Sequence, residues 1–129
     1  MVERAEDQQI LQFILERFET VPHLEAALLM WQNQSTEWTP DLLSSRIYVS
    51  PAIGRSILED LARHGMLLKT DPNAAVYAYE ASWDAERRML PRVAELYRRQ
   101  LVQVTKLIHS KGSSSVRDFA RAFQIKKEQ

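Results

Sequence analysis

The sequence predicts a mainly α fold with a small β-hairpin. Three observations carry that prediction. Apolar residues recur at three- and four-residue spacing through most of the chain. A hydroxyl residue followed by proline, the mark of a helix start, occurs twice in succession at Thr39-Pro40 and Ser50-Pro51. One stretch, 66 to 80, alternates like two short strands around Asp71-Pro72-Asn73.

Taken in order, Ile10, Ile14 and Phe18 repeat every four residues, with Leu11, Leu15 and Val21 widening the stripe and Glu16, Arg17 and Glu19 opposite. A first helix is therefore expected over 7 to 19. Pro22 suits the first turn of a second helix, where its missing amide hydrogen costs nothing, and LEAALLMW extends it to about residue 33. The polar stretch NQSTEW separates it from the next element. Thr39-Pro40-Asp41 starts a short helix through DLLSSRI, and Ile47, Tyr48 and Val49 read as a turn. Ser50-Pro51 starts a helix over about 51 to 64 that stops at Gly65, with Ile53, Ile57, Leu58 and Leu61 expected to face inward. His64 falls in its last turn, where a partly protonated imidazole suits the helix dipole.

Two strands follow, Met66 to Thr70 and Ala75 to Glu80. In the turn between them proline presets one dihedral and Asn73 tolerates the left-handed region. No other stretch reads as a strand. Helical spacing resumes after Ser82, read as a cap, and Pro91 either kinks that helix or begins another. Leu90, Val93, Tyr97, Leu101, Val104 and Ile108 then fall on one stripe of what is expected to be the longest helix, ending at Lys111-Gly112. GSSS links it to SVRDFARAF, in which Val116, Phe119, Ala120 and Phe123 form a short apolar face.

A chain of 129 residues with 45% hydrophobic content is long enough for one core, so one domain is expected: an N-terminal helix at 7–19, a core at 22–80 and a helical C-terminal part at 82–125. With no cysteine, disulfides, thiolate metal sites and thiol catalysis are excluded. No apolar run approaches the roughly 20 residues of a membrane span, and MVERAEDQQ is no signal peptide, which points to the cytoplasm and away from a membrane. Net charge is zero, from 17 basic and 17 acidic residues, but the charges are unevenly placed. Residues 1–38 hold two basic and seven acidic side chains, a balance of −5, and residues 81–129 hold eleven and five, a balance of +6. Either the acidic first helix packs near the basic C-terminal part, or the basic end meets an acidic partner.

The order helix, short helix, helix ended by glycine, then hairpin over 22 to 80 looks like a winged helix-turn-helix, flanked here by an N-terminal helix and long C-terminal helices. Leu58, Leu61, Gly65, Met66 and Leu67 in LEDLARHGMLLKT stand where such proteins carry the leucine-rich end of the recognition helix, its glycine and the apolar start of the wing. Further on, AVYAYEA, LYRRQLVQVTKLIHSK and VRDFARAFQIKKE resemble small bacterial winged-helix proteins, MarR-like in the broad sense, through Val104, Ile108, Phe119, Ala120, Ala122 and Phe123. The resemblance implies transcriptional regulation, a label at the level of fold.

On a helix over 51–64, Ala52, Arg55, Ser56, Glu59 and Arg63 share the side opposite the leucines. Small Ala52 and Ser56 let the backbone approach a groove floor, Arg55 suits a guanine edge or a phosphate, and Glu59 suits a cytosine amino group. With Lys69 of the hairpin these are the expected contacts to double-stranded DNA. Residues 39–80 balance at −1, four basic against five acidic, so one copy is expected to bind weakly and two copies to help each other. A homodimer is expected through Leu90, Val93, Tyr97, Leu101, Val104, Ile108, Phe119 and Phe123; coverage of the stripe by the helix at 7–19 and by Phe119 and Phe123 is its alternative. The cluster Arg87, Arg88, Arg92, Arg98 and Arg99 is either a solvated face paired with Glu86 and Glu95 or a dock for phosphate or an acidic protein partner. The rival function is a winged-helix protein-interaction module that docks a signalling or transcription partner through its C-terminal helices.

Enzymatic motifs are absent, and no cofactor is implied. Gly54, Gly65 and Gly112 are isolated, His23, His64 and His109 lie far apart, and the serines of GSSS have no neighbouring base motif. Trp31, Trp38 and Trp83 are read as core, with an effector pocket as the sharper reading.

Overall fold

The structure, a computed structural model, describes residues 5–112. The expectations for Val116, Phe119, Ala120, Ala122 and Phe123 lie outside the described residues. Within them the chain is mainly helical: α1 (Ala5–Arg17), α2 (Val21–Gln32), β1 (Glu37–Trp38), α3 (Pro40–Ile47), α4 (Pro51–Arg63), β2 (Leu67–Lys69), β3 (Tyr77–Tyr79), α5 (Ser82–Ala85), α6 (Met89–Arg99) and α7 (Leu101–Gly112). No helix among the described residues is long and apolar enough to cross a membrane.

Three helices begin by one device. The hydroxyls of Thr20, Thr39 and Ser50 accept from the backbone N–H groups of His23, Leu42 and Ile53 at 3.3, 3.2 and 3.2 Å, and each cap is followed by a proline in the first turn. The α4 helix ends at Gly65, whose φ of 84° is the conformation glycine adopts without penalty. Gly65 N–H then donates to Ala62 O at 3.0 Å and Met66 N–H to Leu61 O at 3.1 Å, satisfying carbonyls the helix leaves open.

Three antiparallel strands make a sheet in the order β1-β3-β2, with Trp38 opposite Tyr77 and Leu67 opposite Tyr79. The hairpin matches expectation, and Thr70 N–H to Val76 O and Glu80 N–H to Met66 O, both 2.8 Å, extend its ladder at either end. The first strand was not expected: NQSTEW contains two residues of β1. In the turn, the Asp71 carboxylate accepts from Asn73 N–H at 2.9 Å, and Asn73 is not among the residues with positive φ, so the aspartate makes this turn rather than a left-handed asparagine.

Ser82 does not cap α5. The cap position is Ala81, and Ser82 instead gives its backbone N–H and its hydroxyl to the Glu80 carboxylate, which holds that carboxyl below its ordinary value of 4.5. Helix α6 starts afresh, with Pro91 in its first turn. Its leading N–H groups, those of Met89 and Leu90, donate to the two carboxylate oxygens of buried Asp84 at 3.0 and 2.9 Å. The single long C-terminal helix is also corrected, because Gln100, at φ −129° and ψ 50°, separates α6 from α7.

One hydrophobic cluster runs through every layer: Ile14 of α1 and Phe18 just after it, Leu24 and Met30 of α2, Trp38, Leu43, Leu58 and Leu61, Met66 and Leu67, then Leu96 of α6 and Ile108 of α7. Helices α6 and α7 pack on α1 and α2, α4 packs on α2 and β2, and α4 packs most extensively on α3. That crossing is close. A Cβ built on Gly54 would lie 2.9 Å from Pro40 O, so only glycine fits there without a shift.

Candidate nucleic-acid interface

The two helices that meet at Gly54 present one face to solvent. Along α4, Gly54, Ile57, Leu58 and Leu61 are buried, and Ala52, Arg55, Ser56, Glu59 and Arg63 are exposed, as their spacing requires. Lys69, on β2 opposite Tyr77, is exposed too. Thus every residue expected to touch DNA is on the surface. Ile53 is a correction: it is 50% exposed instead of buried, because Gly54 takes the place against α3.

Arg46 and Tyr48 extend the exposed surface, and both escaped the sequence reading. Arg46, the only cation of α3, is exposed with its guanidinium 5.7 Å from the Trp38 ring centroid. Tyr48 caps α3 at φ 61° and ψ 47° and is 92% exposed. Its one sequence signal is its place in the turn between two helices, where glycine is the common choice.

Behind this face, α4 is tied to α2 by a polar chain. Buried His23 has its Nδ1 2.7 Å from Thr20 Oγ1 and its Nε2 2.8 Å from Asp60 Oδ2, and the other Asp60 oxygen accepts from Arg63. Glu16, Arg17, Glu19 and His64 close a cleft of about 180 Å³ around these groups. Arg63 is therefore exposed and ion-paired at once, so its charge is partly spent within the fold. His64 is held below its ordinary value of 6.5 by burial first and then by Arg17 and Arg63, which disfavours the protonated form expected at this helix end. Its carbonyl accepts from Trp83 Nε1 at 2.9 Å.

The expected dimerisation stripe is mostly used within the subunit. Leu90, Val93, Val104 and Ile108 are at most 1% exposed and Tyr97 is half-buried, so of the described stripe only Leu101, at 50%, faces outward beside Val102 at 65%. Coverage by α1 is what the alternative reading anticipated. The Tyr97 hydroxyl donates to Glu25 at 3.0 Å, and burial, then Glu25, pushes its phenol up to about 12.

The arginine cluster is divided in the same way. Arg98 pairs with Glu95 at 2.6 Å, and Arg99 reaches Glu95 at 3.5 Å and buried Asp7 of α1 at 3.3 Å. Arg87 lies over Trp83 and donates to its carbonyl. Arg92 lines a cleft of about 480 Å³ with Glu6, Asp7 and Glu95, and Arg88 holds φ 50° at the start of α6. The acidic first helix and basic C-terminal part thus meet, the first of the two explanations for the uneven charge. The tryptophans stand in different surroundings: Trp38 is fully buried, Trp83 meets His64 and Phe13, and Trp31 lines a cleft with Tyr79 and Arg88. Among the described residues no group of three His, Asp or Glu side chains is arranged to hold a metal.

No family model matches the chain, and comparison with curated proteins and with solved structures finds no match.

Proposed function

We propose that this protein is a DNA-binding transcriptional regulator of the winged helix-turn-helix type, with α4 lying in the major groove and the β2–β3 hairpin against the flanking backbone. The observation that carries this reading is the exposed face of α4, where Ala52 and Ser56 leave the backbone open between Arg55, Glu59 and Arg63. The element order supports it as well. The run α2, β1, α3, α4, β2, β3, with β1 pairing onto β3, is the element order expected of a winged helix, and the close packing of α3 on α4 at Gly54 is consistent with it.

Electrostatics set the terms of binding. On α3, α4 and β2 the exposed cations are Arg46, Arg55, Arg63 and Lys69, against exposed Asp41 and Glu59. So small an excess gives weak non-specific affinity, and two copies on one duplex supply what one lacks. With Leu90, Val93, Val104 and Ile108 buried, Leu101 and Val102 are the exposed apolar side chains of the described part of α6 and α7 through which two copies would meet. The same exposed pair favours the second reading, a protein-interaction module docking its partner through α6 and α7.

Fluorescence anisotropy with duplex DNA separates the two. Affinity that falls steeply with salt and is lowered by Arg55→Ala or Lys69→Ala is expected of the regulator. No binding even at low salt sinks that reading and leaves the interaction module.

A further inference from the structure

Two large side chains at the start of α4 and in the turn before it are left exposed by the fold. Ile53, the third residue of the helix, is 50% exposed, and Tyr48 is 92% exposed on a left-handed backbone that glycine adopts freely. A non-glycine residue kept in that conformation points to a constraint other than folding. Ile53 flanks Ala52 and Ser56, about 60° from Ser56 and about 100° from Ala52 around the helix axis, and Tyr48 stands in the turn that leads into α4, at the rim of a cleft with Arg46 and Gln32. The exposed charges nearest in sequence are Arg46 and Arg55, both cationic, and this favours a polyanion over an apolar protein surface as the occupant.

Resting on the DNA reading above, we propose that Ile53 and Tyr48 are direct contacts to the duplex. The Ile53 side chain packs against the 5-methyl group of a thymine, the one base that presents a methyl in the major groove. The Tyr48 hydroxyl donates to a phosphate oxygen at the edge of the same groove, and so positions the helix without reading sequence. Glu59 and Arg55 then read or anchor the opposite flank of α4, and the protein's preferred site contains thymine at a fixed place opposite Ile53.

The test begins with duplexes enriched from a random pool by binding to the protein. Each thymine of the enriched site is replaced in turn by uracil, which lacks only the methyl. One replacement is expected to weaken binding about fourfold, the worth of one buried methyl, and to leave Ile53→Ala within about twofold of its affinity for the unmodified site. Tyr48→Phe is expected to weaken binding to all duplexes alike. Both side chains are exposed, so thermal melts of the variants should match those of the parent. The Ile53 contact is overturned if every uracil is tolerated, or if the sensitive position is equally sensitive in Ile53→Ala; the Tyr48 contact is overturned if Tyr48→Phe binds as tightly as the parent. Binding with enrichment but without these effects overturns this inference alone. Failure to enrich any duplex, with no salt-sensitive binding, overturns the DNA reading and this inference together.

Discussion

Two residues end two helices in the left-handed region, and only one is a glycine. Gly65 closes α4 at φ 84° without cost, but Tyr48 closes α3 at φ 61° with its side chain in water, so the strain there brings no packing in return. Replacing Tyr48 with glycine is expected to raise stability by roughly 0.5 to 1 kcal/mol, the relieved strain less the freedom glycine adds to the unfolded chain. A urea midpoint that falls instead shows that the tyrosine packs on the fold. Gly54→Ala should act in the opposite direction. Alanine favours a helix interior, but its Cβ would meet the backbone oxygen of Pro40, which has no rotamer to escape into, so a loss of about 1 to 3 kcal/mol is expected. His64 offers a pH test. Its folded value lies below 6.5, so the unfolded chain takes up the proton more readily, and the stability this gives is complete above pH 6.5 and lost as pH falls from there through the folded value. Melting temperatures from pH 7.5 to 5.5 should therefore decline less in His64→Gln than in the parent, and equal declines reject the argument.

At the scale of elements, Asp84 decides where α6 begins. Its two carboxylate oxygens take the N–H groups of Met89 and Leu90 in a buried place, and Asp84→Ala leaves those donors unmet at a cost of about 1 to 3 kcal/mol, with Asp84→Asn retaining part through its remaining acceptor. Equal losses for the two variants mean that the carboxylate acts otherwise. How far such features were legible in the sequence follows from their physics. Caps at Thr39 and Ser50, the glycine stop at 65 and the hairpin are local chemistry, and the residues state them. The break at Gln100 carries no proline or glycine, and β1 is too short for an alternating pattern, since pairing with β3 defines it. On α4 the exposed set Ala52, Arg55, Ser56, Glu59 and Arg63 followed from periodicity alone. Ile53 did not, because its exposure depends on how closely α3 approaches Gly54, and Tyr48 was invisible as a surface feature because exposure is a property of the assembled turn. The His23–Asp60 link was hidden for the same reason, its partners being 37 positions apart.

Across the whole molecule, the question is which surfaces the fold consumes and which it leaves for a partner. Among the described residues the acidic N-terminal and basic C-terminal parts meet where Arg99 pairs with Asp7, and the stripe of Leu90, Val93, Val104 and Ile108 closes on α1 and α2. This gives a dimer argument a sharp consequence. If that stripe were an interface, removing one of its side chains would weaken association, and the effect would fade as protein concentration rises. Because it is core, Leu90→Ala should instead lower the stability of each subunit by about 2 to 5 kcal/mol, the cost of a buried leucine, by the same amount at every concentration. Leu101→Glu, on the exposed flank, should leave unfolding unchanged, and in sedimentation it should shift the protein toward monomer if two copies meet there. A concentration-dependent melting shift for Leu90→Ala would return the stripe to the interface and place the dimer, not the subunit, as the unit that folds.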